Sequence, residues 1–175
     1  MKLFYDIDSL DNRDEKLIES VSKALKGPLW RYFRPVIKGL ERIPKDAGLY
    51  VGNHNGGMLS ADSFLFCIAA LHEHGLNAMP YGLGHEWVIK MPFIHQFLIP
   101  LGVVRASHQN AQKLFEKGHK VLVYPGGDLD AMRSYKDRNK IIFGPRRGYV
   151  RLALKSGVPV IPVVAAGAHE TLFVL

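Results

Sequence analysis

The sequence predicts an α/β fold built on a mixed, largely parallel sheet flanked by helices. Three observations predict it. Short apolar runs rich in β-branched residues, LYVG (49–52), KVLVYP (120–125) and VPVIPVVAAG (158–167), read as strands. Stretches with apolar residues at helical spacing alternate with those runs, the pattern of strand–helix–strand units. The chain has 175 residues, 47% of them hydrophobic, enough for one domain with a real core.

Taken in order, residues 11–26, DNRDEKLIESVSKALK, place acids early and lysines late. Leu17, Ile18, Val21, Ala24 and Leu25 recur at helical spacing, and Gly27-Pro28 predicts the stop. Residues 28–44, PLWRYFRPVIKGLERIP, interleave Trp30, Tyr32 and Phe33 with Arg31, Arg34 and Lys38. Such a segment can lie on a membrane surface, or pack on the core with its basic face in water. PKDAG (44–48) is a turn. After LYVG comes the loop GNHNGGMLS, in which Ser60 is an expected N-cap for a helix over 61–75 closed by Gly75. Residues 77–82 read as a strand, and 84–99 as short helices split at Pro92. GVVRAS (102–107) is a strand, and Ser107 caps the helix HQNAQKLFEKG, which stops at Gly118. KVLVYP leaves through a second glycine loop, PGGDLDAMR (125–133). GYVRLALKSG (148–157) is helical and VPVIPVVAAG is the last strand. The division expected is an N-terminal helical, membrane-associating segment over 1–35 and a second unit over 36–175. The apolar ending HETLFVL has no closing element, so the second unit is expected to be incomplete at its C-terminus.

Composition narrows the function classes. The net charge is +7 and the pI about 9.5, which favours anionic partners: nucleic acid, anionic lipid, or phosphorylated substrates such as coenzyme A thioesters. A merely solvated basic surface fits the charge equally well. A lone cysteine, Cys67, excludes an intrachain disulfide framework. No basic-then-apolar leader opens the chain, and no run of about 18 uncharged apolar residues predicts a spanning helix.

Chemistry concentrates after the strands, where loops are held by a rigid scaffold. His54 lies in the first glycine loop and Asp62 in the first turn of the following helix. A carboxylate on one imidazole nitrogen would fix the tautomer and leave the other free as a base. Gly56 and Gly57 would let a substrate approach the backbone. The plainer alternative is a loop histidine and an ordinary first-turn acid. YPGG (124–127) offers backbone N–H groups as an anion cradle, although lone Gly-Gly turns are common. Arg105 closes the apolar strand GVV, where a charge is unusual unless paired or at the carboxyl edge of the sheet. Arg133, Lys136, Arg138, Arg146, Arg147 and Arg151 form a basic set, some of which would grip phosphate and most of which would be solvated. His72 and His74 face apart on a helix, and no HExxH or CxxC occurs, so no metal site is expected. No G-x-S-x-G elbow occurs either, which leaves no common hydrolase nucleophile.

Four blocks in order resemble the glycerolipid (lysophospholipid) acyltransferase superfamily: GNH with a downstream acid, IPLGVVRAS, VLVYPGGDLDAMR and VPVIPVVAAG. They span about residues 36–167. The NHxGG loop and PGG turn resemble the diacylglycerol-acyltransferase-like branch most. Seven residues lie between His54 and Asp62, more than in the usual first block. Gly126 stands where phosphate-acceptor members carry glutamate, which directs attention to a neutral lipid alcohol. The resemblance implies a glycerol-3-phosphate-acyltransferase-like fold and acyl transfer from acyl-CoA or acyl-ACP, a co-substrate rather than a cofactor, to a lipid hydroxyl. His54 would be the base and Asp62 its orienter, with no acyl-enzyme. Asn53, Gly56, Gly57, Arg105, Gly126, Gly127, Asp130, Arg133 and Arg147 would bind substrate. A lipid substrate implies a peripheral site on the cytoplasmic face of a membrane, through residues 28–38 and 87–99. The alternatives are an inactive lipid- or acyl-CoA-binding module on the same scaffold and, on charge alone, a nucleic-acid binder. The aromatic residues form no RNA-binding pattern, so nucleic acid is not the expected partner.

Overall fold

A computed structural model describes residues 3–55, 60–167 and 169. Gly56 and Gly57 lie outside them. Seven helices, five strands and several short 3-10 turns are described: α1 (Glu15–Phe33), β1 (Gly48–Gly52), α2 (Ala61–His74), β2 (Tyr81–Gly84), α3 (Glu86–Ile89), α4 (Ile94–Leu98), β3 (Val103–Arg105), α5 (His108–Glu116), β4 (Lys120–Val123), α6 (Gly127–Ala131), α7 (Gly148–Ser156) and β5 (Val160–Val163). The strands form one sheet in the order β3-β2-β4-β1-β5, and every described pairing is parallel.

Local signals explain most boundaries. Asp14 caps α1 by accepting from the Leu17 N–H, and Ser107 caps α5 by accepting from the Asn110 N–H. The first helix departs from expectation. It runs through Gly27 and Pro28 and stops only at Arg34, in the left-handed region before Pro35. One lost backbone bond at Pro28 is outweighed by tertiary contact: Ile18 and Ser22 are buried, and Ser22 Oγ meets His72 Nε2 of α2 at 3.0 Å. The strand expected over 77–82 begins later, at Tyr81, because Leu76–Ala78 form a 3-10 turn.

The strand β1 is buried along its whole length. Its period of two sends Leu49 and Val51 to one face, where they join Val121, Leu114, Phe115, Leu152 and Ala153 under α5 and α7. Tyr50 goes to the other face, against Phe66 of α2 with ring centroids 5.4 Å apart. This double cover fixes the register in which Tyr50 pairs with Leu122 and Val51 with Val123. Since β1 and β4 are parallel neighbours, their carboxyl ends emerge side by side, and the two glycine loops meet there. No helix among the described residues is long and apolar enough to cross a membrane.

Candidate active site

The site is built where β1 and β4 end. Gly52 closes β1, and a Cβ there would stand 2.5 Å from Cε1 of Tyr124, the residue after β4. Only glycine lets the Tyr124 ring lie over the strand end. Asn53 continues the sheet with its side chain: Nδ2 donates to the Ala165 carbonyl (2.8 Å) and Oδ1 accepts from the Ala165 N–H (2.9 Å). Asn55 Nδ2 donates to the same carbonyl at 3.0 Å. Both asparagines are buried, so they act as fasteners to the segment after β5, and Asn53 is not free to bind substrate as expected.

Between them, the His54 backbone is gripped from the second loop. Its N–H donates to Asp130 Oδ2 (2.5 Å) and its carbonyl accepts from Arg133 Nη1 (2.6 Å). Asp130 and Arg133 are 0% and 4% exposed. Asp130 Oδ1 takes the Ile142 N–H (2.9 Å) and an ion pair from Arg133 (3.2 Å). The remaining Arg133 contacts go to the Asp130 and Arg138 carbonyls and to Asn55 Oδ1. Through these contacts the two side chains frame the loop where the sequence suggests substrate ligands. The Pro-Gly-Gly turn makes the frame possible. A Cβ on Gly126 would stand 2.5 Å from the Ile142 carbonyl oxygen and collide with Asp130. Gly127, at φ +50°, has its N–H engaged by the Tyr124 carbonyl at 3.1 Å.

The His54 ring packs on Tyr124, with centroids 4.8 Å apart, and its Nδ1 meets Ser60 Oγ at 3.2 Å. Ser60 thus stands at the N-cap position of α2 as expected, its carbonyl taking the Ser63 N–H, but its side chain makes no capping bond. It sits in the left-handed region with its side chain on the histidine. Burial lowers the His54 pKa below its ordinary value of 6.5; the Asp130 charge opposes that shift and Arg133 reinforces it. Tyr124 in turn shares a hydrogen bond with Ser63 Oγ (2.5 Å), and burial raises its pKa well above 10.

Asp62 lies beside this group without touching the imidazole. No hydrogen bond or ion pair joins it to His54 among the described residues. Its Oδ1 is buried without a partner. Burial pushes its pKa up to about 6, against the pull of the Ser63 backbone N–H and the Asn55 side chain. Burial also pushes the Cys67 thiol up to about 12, so no thiolate nucleophile is available at neutral pH. Among the described residues no group of three or more His, Cys, Asp or Glu is placed to hold a metal ion.

Two expected ligands lie elsewhere. Arg105 is on β3, three strands across the sheet from β1, roughly 14 Å by strand spacing. It forks onto Asp8 (2.8 and 2.6 Å) and reaches Glu86 at 3.5 Å. Arg147 is exposed at the start of α7. Conversely, Ser60, Asn55 and Tyr124 surround His54 with no sequence signal beyond their closeness to the two loops.

The diacylglycerol acyltransferase family model matches residues 1–173. An uncharacterized protein of Mycobacterium tuberculosis is 29% identical over 155 residues, 85% of this chain and 43% of its own length. Diacylglycerol O-acyltransferase 2-like protein 6 of Mus musculus is 29% identical over 158 residues, 82% of this chain and 45% of its own. The chain thus spans under half the length of these relatives. The crystal structure of the 1-acyl-sn-glycerophosphate acyltransferase of Thermotoga maritima is similar with a TM-score of 0.55 and 26% identity, covering 86% of this chain and 60% of that one.

Proposed function

Because the chain belongs to the diacylglycerol acyltransferase family, we propose that it moves a fatty acyl group from an acyl thioester to the hydroxyl of a neutral lipid alcohol, with His54 as general base. The observation that carries this reading is the His54 loop itself, pinned at its backbone N–H and carbonyl while the ring, among the described residues, meets Ser60, Tyr124 and the Asn55 backbone. In the tautomer that donates Nδ1–H to Ser60 Oγ, Nε2 keeps its lone pair. It takes the alcohol proton as the oxygen attacks the thioester carbon; the C–S bond then breaks and the proton passes to the departing thiolate. The lowered pKa keeps the imidazole neutral at neutral pH, and the Asp130 charge favours the imidazolium that forms. Asp62 steadies the loop from behind through Asn55.

A neutral acceptor fits the electrostatics. Arg133, beside His54, is buried on carbonyls and carboxylate, and Arg105 is held by acids at the far edge. Neither is free to neutralise an acceptor phosphate, and Gly126 has no room for the glutamate of phosphate-acceptor enzymes. The mouse relative is named as diacylglycerol O-acyltransferase 2-like, which is in keeping with a neutral acceptor.

The site would work at a membrane surface. Phe93 (87% exposed), Phe4 (84%) and Trp87 (69%) stand in water close to α4, where Gln96 Nε2 donates to the Leu3 carbonyl and the Tyr5 N–H to His95 Nε2. Such a patch suits shallow insertion between lipid headgroups. Co-flotation with anionic vesicles, lost in Trp87→Ser/Phe93→Ser, checks it.

The decisive experiment is His54→Gln with long-chain acyl-CoA and diacylglycerol, following thiol release and ester product. Transfer should fall by about 10²–10⁴-fold with an unchanged circular dichroism spectrum. Wild-type turnover by the variant would remove His54 from the mechanism. A wild type that binds acyl-CoA but releases no thiol would be a binding module instead.

A further inference from the structure

One feature is not used by the chemistry at His54. Arg146, Arg147, Arg151, Lys155, Val150 and Leu154 line most of an open groove of about 860 Å³ along α7. That volume is in the range of small-ligand sites. The charge arrangement suits the helix dipole only at Lys155, in the last turn, and elsewhere runs against helix stability. Arg147, Arg151 and Lys155 are spaced i, i+4, i+8 on one stripe, and like charges at that spacing repel. Arg147 stands at the positive end of the helix dipole, where there is no side-chain cap and no acid in the first turn. None of the three has an acidic partner among the described residues. Beside them Leu154 is 80% and Val150 41% exposed. An unneutralised row of cations with an apolar wall is explained by a ligand that carries several negative charges and a flat apolar ring.

The groove is also tied to the site. Arg146, fixed by Asp128 (2.6 Å), donates to the Gly126 carbonyl at 2.7 Å. Gly126 packs on Asp130, and Asp130 holds the His54 N–H. A ligand seated on α7 therefore starts from the rim of the loop that presents the base.

We propose that this groove binds the adenosine 3′,5′-bisphosphate end of a coenzyme A thioester, the phosphates on Arg147, Arg151 and Lys155 and the purine against Val150 and Leu154. The identity of the donor rests on the acyl-transfer reading above; the site itself does not.

The test is calorimetric titration of the full chain with adenosine 3′,5′-bisphosphate, beside donor kinetics, for the wild type and Arg151→Glu/Lys155→Glu. Both side chains are exposed, so the fold is retained, and circular dichroism checks that. The nucleotide should bind the wild type, and the variant should weaken it about tenfold or more. KM for acyl-CoA should rise in step, with kcat and the acceptor KM nearly unchanged. Equal nucleotide affinity in the two proteins overturns the proposal. So does a variant that loses only vesicle binding, or one impaired only toward a thioester on an acidic carrier protein. Charge-dependent nucleotide binding by a wild type that releases no thiol supports the groove while sinking the acyl-transfer reading.

Discussion

At the loop end of β1 and β4, Arg133 is 4% exposed and gives its N–H groups to three carbonyls, a carboxylate and an amide oxygen. At the β3 edge, Arg105 keeps 38% of its side chain in water and forks onto one aspartate. The two share a functional group and a place near a strand or loop end, yet they perform different work. A buried guanidinium has no water to fall back on, so its Nη groups crowd onto protein acceptors while Nε finds none, and the acceptors become fixed in turn. An exposed one has water as an alternative partner, and its ion pair is screened. Burial therefore separates a frame from a clasp.

Arg133→Ala should break this contrast most visibly. It leaves Asp130 buried and unpaired and frees the His54 carbonyl, at an expected loss of about 3–5 kcal/mol. For a chain of this size Tm should fall by roughly 10 °C. Arg133→Lys should rescue little, since an ammonium cannot make the forked contacts. A variant that melts like the wild type would show that the frame is dispensable.

Asp62→Asn should have a middling effect with a definite pH signature. The folded pKa is raised from 3.8 to about 6. The native state therefore binds the proton more tightly, and this stabilisation is complete below pH 3.8 and lost as pH rises through about 6. The amide variant lacks that loss. Urea melts should show it gaining about 2 kcal/mol on the wild type between pH 4 and pH 7. A constant difference across that range would mean that Asp62 is well solvated.

Arg105→Ala should change least, lowering Tm by no more than about 2 °C at moderate salt. Asn110 and Arg105 together hold the Asp8 carboxyl below its usual range, so the clasp persists at neutral pH and loosens as pH falls below that range. A drop as large as that of Arg133→Ala would erase the distinction between the two arginines.

The same contrast explains what could be read from residues alone. The strands and the helix α5 were legible because their signals are local: β-branched runs, a serine cap, a terminal glycine. The helix α1 was misjudged at Gly27-Pro28, because its continuation depends on Ser22 meeting His72, fifty positions away. The placement of His54 in a loop between strand and helix was legible from periodicity. Its surroundings were not. Ser60 has the identity of a cap and takes up the imidazole only because its backbone turns left-handed. Asp130 and Arg133 look like substrate ligands until the register of β1 on β4 brings them under His54. Asn53 reads as a substrate ligand and Asn55 as a loop residue, and only the pairing of β5 with β1 gives them Ala165 to hold.

The fastening of Asn53 and Asn55 to Ala165 has an implication for biosynthesis. The ribosome makes the histidine early, but the residues that immobilise its loop emerge more than a hundred codons later. A nascent polypeptide thus carries an unfastened His54 loop until those codons are read. Fastening arrives abruptly, with β5 and the segment after it, so a partial product shortened before Ala165 would expose the histidine without that enclosure.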